Sequence, residues 1–164
     1  MNEGTTGISA SDAAGARALL AEEDRIIKET HFAGAGGGEI VERRTALIDR
    51  VLRGLYHRFS RDPAMPALIA VGGYGRGELN PHSDIDILLL ARTDADRERA
   101  SPLLYALWDA GMDIGYSVRT ISECVDLGRE DIKIRTSLME SRFLAGDARF
   151  CASFQKTLYA VSYT

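Results

Sequence analysis

Two apolar runs separated by a glycine-rich turn constrain the fold more than any other feature of this chain. The first run lies in residues 67–73 (ALIAVGG) and the second in residues 84–92 (DIDILLLAR). Short apolar runs that are bounded by glycine and polar residues are typical of buried strands, and both runs are short for a helix. We therefore expect two strands of one small sheet, joined by the glycine-rich turn.

The segments around these strands predict several helices and one further strand. Helices are expected at about residues 11–31, 38–59, 101–111, 122–130 and 131–146, and a third strand is expected at residues 113–120. Ser11 or Asp12 would cap the first helix, and Ser101, followed by a proline, would cap the third. The order of elements predicts an α+β or mixed α/β domain with a small sheet.

Three aromatic residues are expected to pack in the core of this domain. Tyr105 and Trp108 fall on the side of the third helix that should cover the sheet. Tyr116 should point inward from the third strand, because strand side chains alternate between the two faces.

Two aspartates occupy alternate positions at the start of the second strand. Strand side chains alternate, so Asp84 and Asp86 share one face while Ile85 and Ile87 point into the core. Neighbouring carboxylates repel each other and are costly to bury. A divalent cation that bridges them removes this cost, and oxygen ligands on a short rigid element suit Mg²⁺. The pair alone favours an exposed edge strand with one polar face over a metal site.

The glycines favour the metal hypothesis over the edge strand. Gly72 and Gly73 fall where the first strand ends, and glycine lets backbone N–H groups approach a phosphate closely. Arg76 could add a fork of donors and Ser83 a hydroxyl. A phosphate-binding turn beside a carboxylate pair that binds metal is what nucleotidyl transfer requires.

The same glycines do not form a dinucleotide-binding turn. Gly73, Gly75 and Gly77 run G-x-G-x-G, whereas the dinucleotide fingerprint is G-x-G-x-x-G. Residues 80–84 (NPHSD) would also end any helix within about two turns, and that fold needs a full crossover helix.

Composition excludes several classes of partner. A formal net charge of −4 argues against a basic face that grips nucleic acid. No apolar run reaches the roughly 18 residues of a membrane span, and the N-terminus lacks a signal-peptide pattern. Cys124 and Cys151 have neither metal-site nor redox-motif spacing. We expect a cytoplasmic protein without nucleic-acid or membrane partners.

The stretch GGYGRGELNPHSDIDILLL (residues 72–90) resembles the signature of the DNA polymerase β-type nucleotidyltransferase superfamily. Three further blocks, residues 32–55, 107–120 and 131–147, resemble the N-terminal region of the bacterial PII uridylyltransferase/uridylyl-removing enzymes. The expected division is therefore an N-terminal tail and helix (1–31), a nucleotidyltransferase core with its preceding helix (32–147) and a C-terminal helical segment (148–164).

The resemblance implies a set of residue roles. Asp84 and Asp86 would bind two Mg²⁺ ions, and a third carboxylate would come from a neighbouring strand, with Asp113 favoured over Asp109. The triphosphate of UTP would lie on the glycine turn, held by Gly72, Gly73, Ser83 and Arg76. The acceptor would be a tyrosine hydroxyl of the PII signalling protein, and pyrophosphate would leave.

The chain also departs from that family. Tyr116 stands where the family usually has histidine, and no His-Asp dipeptide of the uridylyl-removing domain is present. The removing activity and the glutamine regulation therefore do not carry over, and we expect a fragment or isolated module. Two alternatives remain: an inactive nucleotide-binding or regulatory module, and a minimal stand-alone adenylyltransferase of the toxin–antitoxin type.

Overall fold

A computed structural model describes residues 12–80 and 83–163, and within these residues it contains four strands, seven α-helices and one 3₁₀ helix. The strands are β1 (Ala67–Ala70), β2 (Ile85–Leu90), β3 (Ile114–Arg119) and β4 (Arg142–Ala145). The helices are α1 (Ala13–Phe32), α2 (Gly37–His57), α3 (Gly72–Gly75), α4 (Ser101–Asp109), α5 (Ile121–Glu130), α6 (Ile132–Met139) and α7 (Ala148–Ser162), and the 3₁₀ helix is Asp94–Ala100.

The strands form one mixed sheet in the order β3-β2-β1-β4. Strand β1 is antiparallel to both of its neighbours, while β2 and β3 run parallel. This mixed sheet with flanking helices confirms the α+β class expected from the sequence. Because β2 and β3 are parallel, both strands start at the same edge of the sheet, near Asp84 and Asp113.

Each face of the sheet is covered by a helical layer. Ile85 and Ile87 of β2 belong to the core shared with α1, α2 and α4, as their alternation predicted. Leu88 and Leu90 belong to a second core, which Cys124, Leu138, Cys151, Phe154 and Leu158 of α5, α6 and α7 complete. Alternation puts Asp86 on the same face as Leu88, so the carboxylate points toward the α5–α7 layer.

The first helix begins as predicted at one of the two proposed caps. Asp12 is the N-cap of α1, and its carboxylate accepts the N–H of Gly15 at 2.6 Å. The competing candidate, Ser11, lies outside the described residues.

The prediction of one helix over residues 131–146 is wrong in its second half. Helix α6 ends at Met139, and Arg142–Ala145 form β4, which pairs with β1. Gly146 follows with φ +108°, and a side chain there would meet Tyr56 and Ala67. Phe143 and Leu144 continue the apolar spacing of the helix, but pairing with β1 decides their conformation.

The start of α4 and the aromatic positions also differ from expectation. The 3₁₀ helix runs directly into α4, so Ala100 is the N-cap and Ser101 is already helical. Tyr105, Trp108 and Tyr116 are 62%, 46% and 47% exposed, so their expected core positions are wrong. Their rings instead contact one another on the surface, because β3 is the edge strand and α4 covers it only in part.

Candidate active site

The candidate site begins with the two carboxylates at the start of β2. Asp84 directly precedes the strand and Asp86 is its second residue, and both side chains are exposed. Partial burial raises the pKa of Asp86, and the negative charge of Asp84 raises it further. Among the described residues, no ion pair engages either carboxylate. The pair is therefore available to a cation from solution.

The glycine turn lies directly beside Asp86. Val71 ends the approach from β1, and its N–H donates to the backbone carbonyl of Asp86 at 3.1 Å. Gly72 follows with φ +60°, and a Cβ there would lie 3.8 Å from Asp86 Oδ2 and 3.4 Å from Ser137 Oγ. The turn forms the short helix α3, whose first N–H groups come from Gly72 and Gly73. Backbone donors and a carboxylate pair thus meet at one edge of the sheet.

Gly115 on the neighbouring strand makes room for the Asp86 carboxylate. The register of the parallel pair sets Asp86 opposite Gly115, and a Cβ at Gly115 would overlap Asp86 Oδ1. No pattern in the sequence marks this residue. Only the parallel register between β2 and β3 identifies it, and that register is a property of the folded sheet.

An open groove of about 430 Å³ surrounds Asp86 on this face of the sheet. Its polar and charged lining consists of Asp86, Ser117, Arg119, Lys133 and Ser137. Arg119 and Lys133 bring two positive charges to the groove from β3 and α6, which suits an anionic ligand whose charge the aspartates alone would repel. Two basic residues near Lys133 in sequence do not line this groove: Arg135 lines another, and Arg142 pairs with Asp49.

Two further candidates for nucleotide binding are Arg76, which lies against the glycine turn, and Ser83, which directly precedes Asp84. Arg76 donates to the carboxylates of Glu78 at 3.0 Å and Glu140 at 2.6 Å. Its Nη2 would lie 3.5 Å from a Cβ at Gly73. Ser83 is half-buried and donates its backbone N–H to the carbonyl of Asn80 at 3.0 Å. Arg76 therefore lies against the turn, with two carboxylates as its present partners.

The third carboxylate expected from the sequence does not complete a cluster. Asp113 is exposed and directly precedes β3, one position before the Ile85–Ile114 pair. Asp109 ends α4, and its backbone carbonyl accepts from Arg17 Nε at 2.6 Å. Within residues 12–80 and 83–163, no group of three or more His, Cys, Asp or Glu side chains is arranged to hold a metal ion. The structure thus brings together Asp84 and Asp86, and leaves Asp113 at the same edge of the sheet.

The donor set fits a hard divalent cation that takes most of its ligands from water and substrate. Two carboxylates on one strand face supply oxygen ligands, and Mg²⁺ commonly takes one or two carboxylates together with water and substrate phosphates. Burial and, after it, the negative charge of Asp84 raise the pKa of Asp86, and a bound divalent cation would oppose both effects.

Comparison with known proteins decides the family. The family described as "Nucleotidyltransferase domain" matches residues 52–140, the segment that contains the glycine turn, the aspartates and the groove. The chain belongs to the nucleotidyltransferase domain family. The recognition made from the sequence is thereby confirmed at the level of this domain.

Two longer relatives of this nucleotidyltransferase domain have the same name. The chain is 40% identical over 146 residues to a bifunctional uridylyltransferase/uridylyl-removing enzyme of Stutzerimonas stutzeri, covering 87% of this chain and 16% of that protein. It is 41% identical over 153 residues to the enzyme of the same name from Aromatoleum aromaticum, covering 87% of this chain and 17% of that protein. The chain thus spans about one sixth of the length of the curated relatives it matches.

A solved structure also matches part of this chain. It is described as a toxin–antitoxin crystal structure with AMP-PNP, is 19% identical, and is matched over 68% of this chain and 86% of that chain with a TM-score of 0.42. Among the described residues of the nucleotidyltransferase chain, no helix combines the length and the apolar character needed to cross a membrane.

Proposed function

We propose that this chain is the catalytic domain of a uridylyltransferase, which moves UMP from UTP to a tyrosine hydroxyl of the signalling protein PII. One observation carries the proposal: the glycine turn and the Asp84–Asp86 pair meet beside a groove lined by two basic side chains, Arg119 and Lys133. The relatives at about 40% identity, named as uridylyltransferases, supply the choice of UTP, and the resemblance noted in the sequence supplies the acceptor.

The nucleotide would bind between the glycine turn and α6. Backbone N–H groups of Gly72 and Gly73 would donate to the triphosphate, with Ser83 and Arg76 as side-chain donors. Lys133 and Arg119 face the other side of the groove and would complement the remaining negative charge.

Asp84 and Asp86 are the proposed ligands of two Mg²⁺ ions, and Asp113 is the proposed third carboxylate. When bound, Mg²⁺ supplies charge neutralisation at the phosphates and lowers the pKa of an oxygen that it ligates. The carboxylates of Asp84 and Asp86 would hold the metal beside the glycine turn, and the backbone N–H groups of that turn would orient the phosphates.

The transfer exchanges one phosphorus–oxygen bond for another. The tyrosine oxygen attacks the α-phosphorus of UTP and forms the new bond, while the bond to the β-phosphate oxygen breaks and pyrophosphate leaves. The phenolic proton passes to a carboxylate of the site, for which Asp113 is the proposed group. Direct in-line attack requires the acceptor to enter from the open side of the groove, opposite the leaving pyrophosphate.

Residues 32–147 are the proposed transferase core, flanked by residues 1–31 and 148–164. We also place the protein in the cytoplasm, where UTP is available and where the two buried thiols, Cys124 and Cys151, would stay reduced.

The proposal is tested by incubating the chain with PII, Mg²⁺ and UTP labelled at the α-phosphate. We expect label on PII, loss of label when Mg²⁺ is chelated, and weak competition by ATP. Binding of UTP without transfer would assign the chain a nucleotide-binding role and overturn the catalytic proposal. Preferential transfer from ATP would overturn the choice of UTP.

A further inference from the structure

We propose that Arg142, held in place by Asp49, is a positioning residue that sets the orientation of the glycine turn for triphosphate binding. This inference rests on the proposed function, because the turn is taken as the triphosphate site. Neither residue is among those that line the groove around Asp86, so Arg142 acts through the turn and not by touching the nucleotide.

A partly buried network connects the turn to α2 and β4. Asp49 of α2, with its side chain 13% exposed, accepts the Tyr74 hydroxyl at 2.6 Å. It also accepts two bonds from the Arg142 guanidinium, at 2.7 Å on Oδ2 and 3.1 Å on Oδ1. Such a two-point contact fixes the plane of the guanidinium as well as its distance.

Arg142 in turn contacts the backbone of the glycine turn. Its Nη2 donates to the carbonyl oxygen of Tyr74 at 3.1 Å, and its guanidinium lies 5.2 Å from the centre of the Tyr74 ring. Tyr74 is only 1% exposed and is the third residue of α3, so the ring, the hydroxyl and the carbonyl of one turn residue are all restrained.

The chain immediately before Arg142 restrains the other end of the turn. A Cβ at Gly75 would overlap the backbone carbonyl of Glu140, so the turn backbone packs directly on this residue. The Glu140 carboxylate also accepts from Arg76 at 2.6 Å. Glu140 and Arg142 therefore hold the part of the glycine turn from Tyr74 to Arg76, which directly follows Gly72 and Gly73.

Restraint of this kind matters for a site built from backbone donors. The N–H groups of Gly72 and Gly73 can bind phosphate only in one orientation of the turn, and a displacement of about 1 Å in such a site can cost up to about 100-fold in rate. Lysine cannot replace the two-point contact of Arg142, because its single ammonium cannot engage both carboxylate oxygens and the Tyr74 carbonyl in the same geometry.

The test compares Arg142→Lys and Tyr74→Phe with Tyr56→Phe as a matched control. Tyr56 is a buried tyrosine of α2 whose hydroxyl donates to the carbonyl of Pro66 at 2.9 Å, away from the turn. All three changes should lower the melting temperature. We expect Arg142→Lys to weaken UTP binding about tenfold and Tyr74→Phe to weaken it less, with Tyr56→Phe within about twofold of the unmodified chain.

Amide hydrogen exchange gives a readout that does not depend on UTP. Residues 72–76 should exchange faster in Arg142→Lys than in Tyr56→Phe at equal distance below the melting temperature. Equal UTP affinity and equal exchange in these two variants would overturn the inference, and Tyr74→Phe decides the question in the same way if Arg142→Lys does not fold. An unmodified chain that fails to bind UTP would instead overturn the proposed function, and faster exchange in Arg142→Lys would still support the restraint.

Discussion

Gly115 of β3 lies directly opposite Asp86 of β2, and the space that a side chain at residue 115 would need is filled by the Asp86 carboxylate. The two residues belong to different strands and lie far apart in the sequence, so their contact cannot be inferred from either segment alone. Their pairing links the position of a proposed metal ligand to the absence of a side chain on the adjacent strand.

Gly115→Ala should therefore impair transfer more than folding. The added Cβ would overlap Asp86 Oδ1 and displace the carboxylate from its place between β3 and the glycine turn, and we expect a loss of about 10- to 100-fold in kcat/KM. Gly115 is exposed on an edge strand and its φ is not positive, so alanine is compatible with the backbone. Steady-state kinetics and the melting temperature measure the two effects separately.

Gly38→Ala is the matched control for this change. Gly38 lies in the first turn of α2, and a Cβ there would meet nothing within 4 Å. Alanine in a helix is equal to or better than glycine by up to about 1 kcal/mol, so stability should not fall and transfer should be unchanged. Equal activity of the two alanine variants would contradict the role given to Gly115.

Asp86→Asn should abolish the effect of Mg²⁺ on UTP binding and lower transfer by at least about 100-fold, because one proposed metal ligand loses its charge. Isothermal titration of UTP with and without Mg²⁺ provides the measurement.

Asp113→Asn, tested beside it, asks whether the third carboxylate takes part. We expect UTP binding to persist in Asp113→Asn while transfer falls at least about tenfold, since its proposed role lies in the chemical step. Full activity of Asp113→Asn would remove this residue from the proposed site and direct attention to Asp109.

Lys133→Gln should weaken UTP binding about tenfold, because a charge-assisted contact to a phosphate in the groove is lost. The matched control is Lys156→Gln on α7, where the lysine is exposed and does not line the groove. The difference between the two variants should shrink at high salt, since screening weakens the contribution of Lys133. A tenfold effect from both variants would indicate a general charge effect and contradict a specific contact.

Asp147, which is not part of the candidate active site, should make the stability of the folded chain depend on pH. It caps α7, and the N–H of Phe150, helped by Arg92 and the N–H of Arg149, lowers the pKa of its carboxyl against an opposing effect of burial. The folded pKa thus lies below the unfolded value of about 3.9, so the stabilisation is present above about pH 4 and is lost as pH falls through the folded pKa.

Asp147→Asn keeps a capping side chain but removes the charge. Its melting temperature should lie below that of the unmodified chain at pH 7, and the gap should close on acidification below about pH 4. Thermal unfolding followed by circular dichroism at a series of pH values checks this, and a gap that stays constant down to pH 3 would contradict the assignment.

The local parts of this fold could be predicted from the sequence because local chemistry determines them. The alternation at Asp84–Ile87 indicates which side chains share a face, and the glycines after β1 mark the turn. The fourth strand could not be predicted in this way, since Phe143 and Leu144 fit a helix equally well until β1 is available as a pairing partner.

Predictions that depended on where an element lies in the sheet were the ones that failed or were missing. Trp108 and Tyr116 were assigned to the core from their faces alone, but β3 is an edge strand and they remain about half exposed. Gly115 and Asp49 gave no signal at all, because their importance comes from contacts with Asp86, Tyr74 and Arg142, which are distant in sequence.

The network of Asp49 and Arg142 also bears on how far this domain can be shortened. The family match covers residues 52–140, and both partners lie just outside it, one on each side. A protein cut to the matched limits would keep every residue of the groove yet lose the ion pair and the whole of β4. The smallest unit able to present its glycine turn correctly must therefore extend from before residue 49 to beyond residue 145.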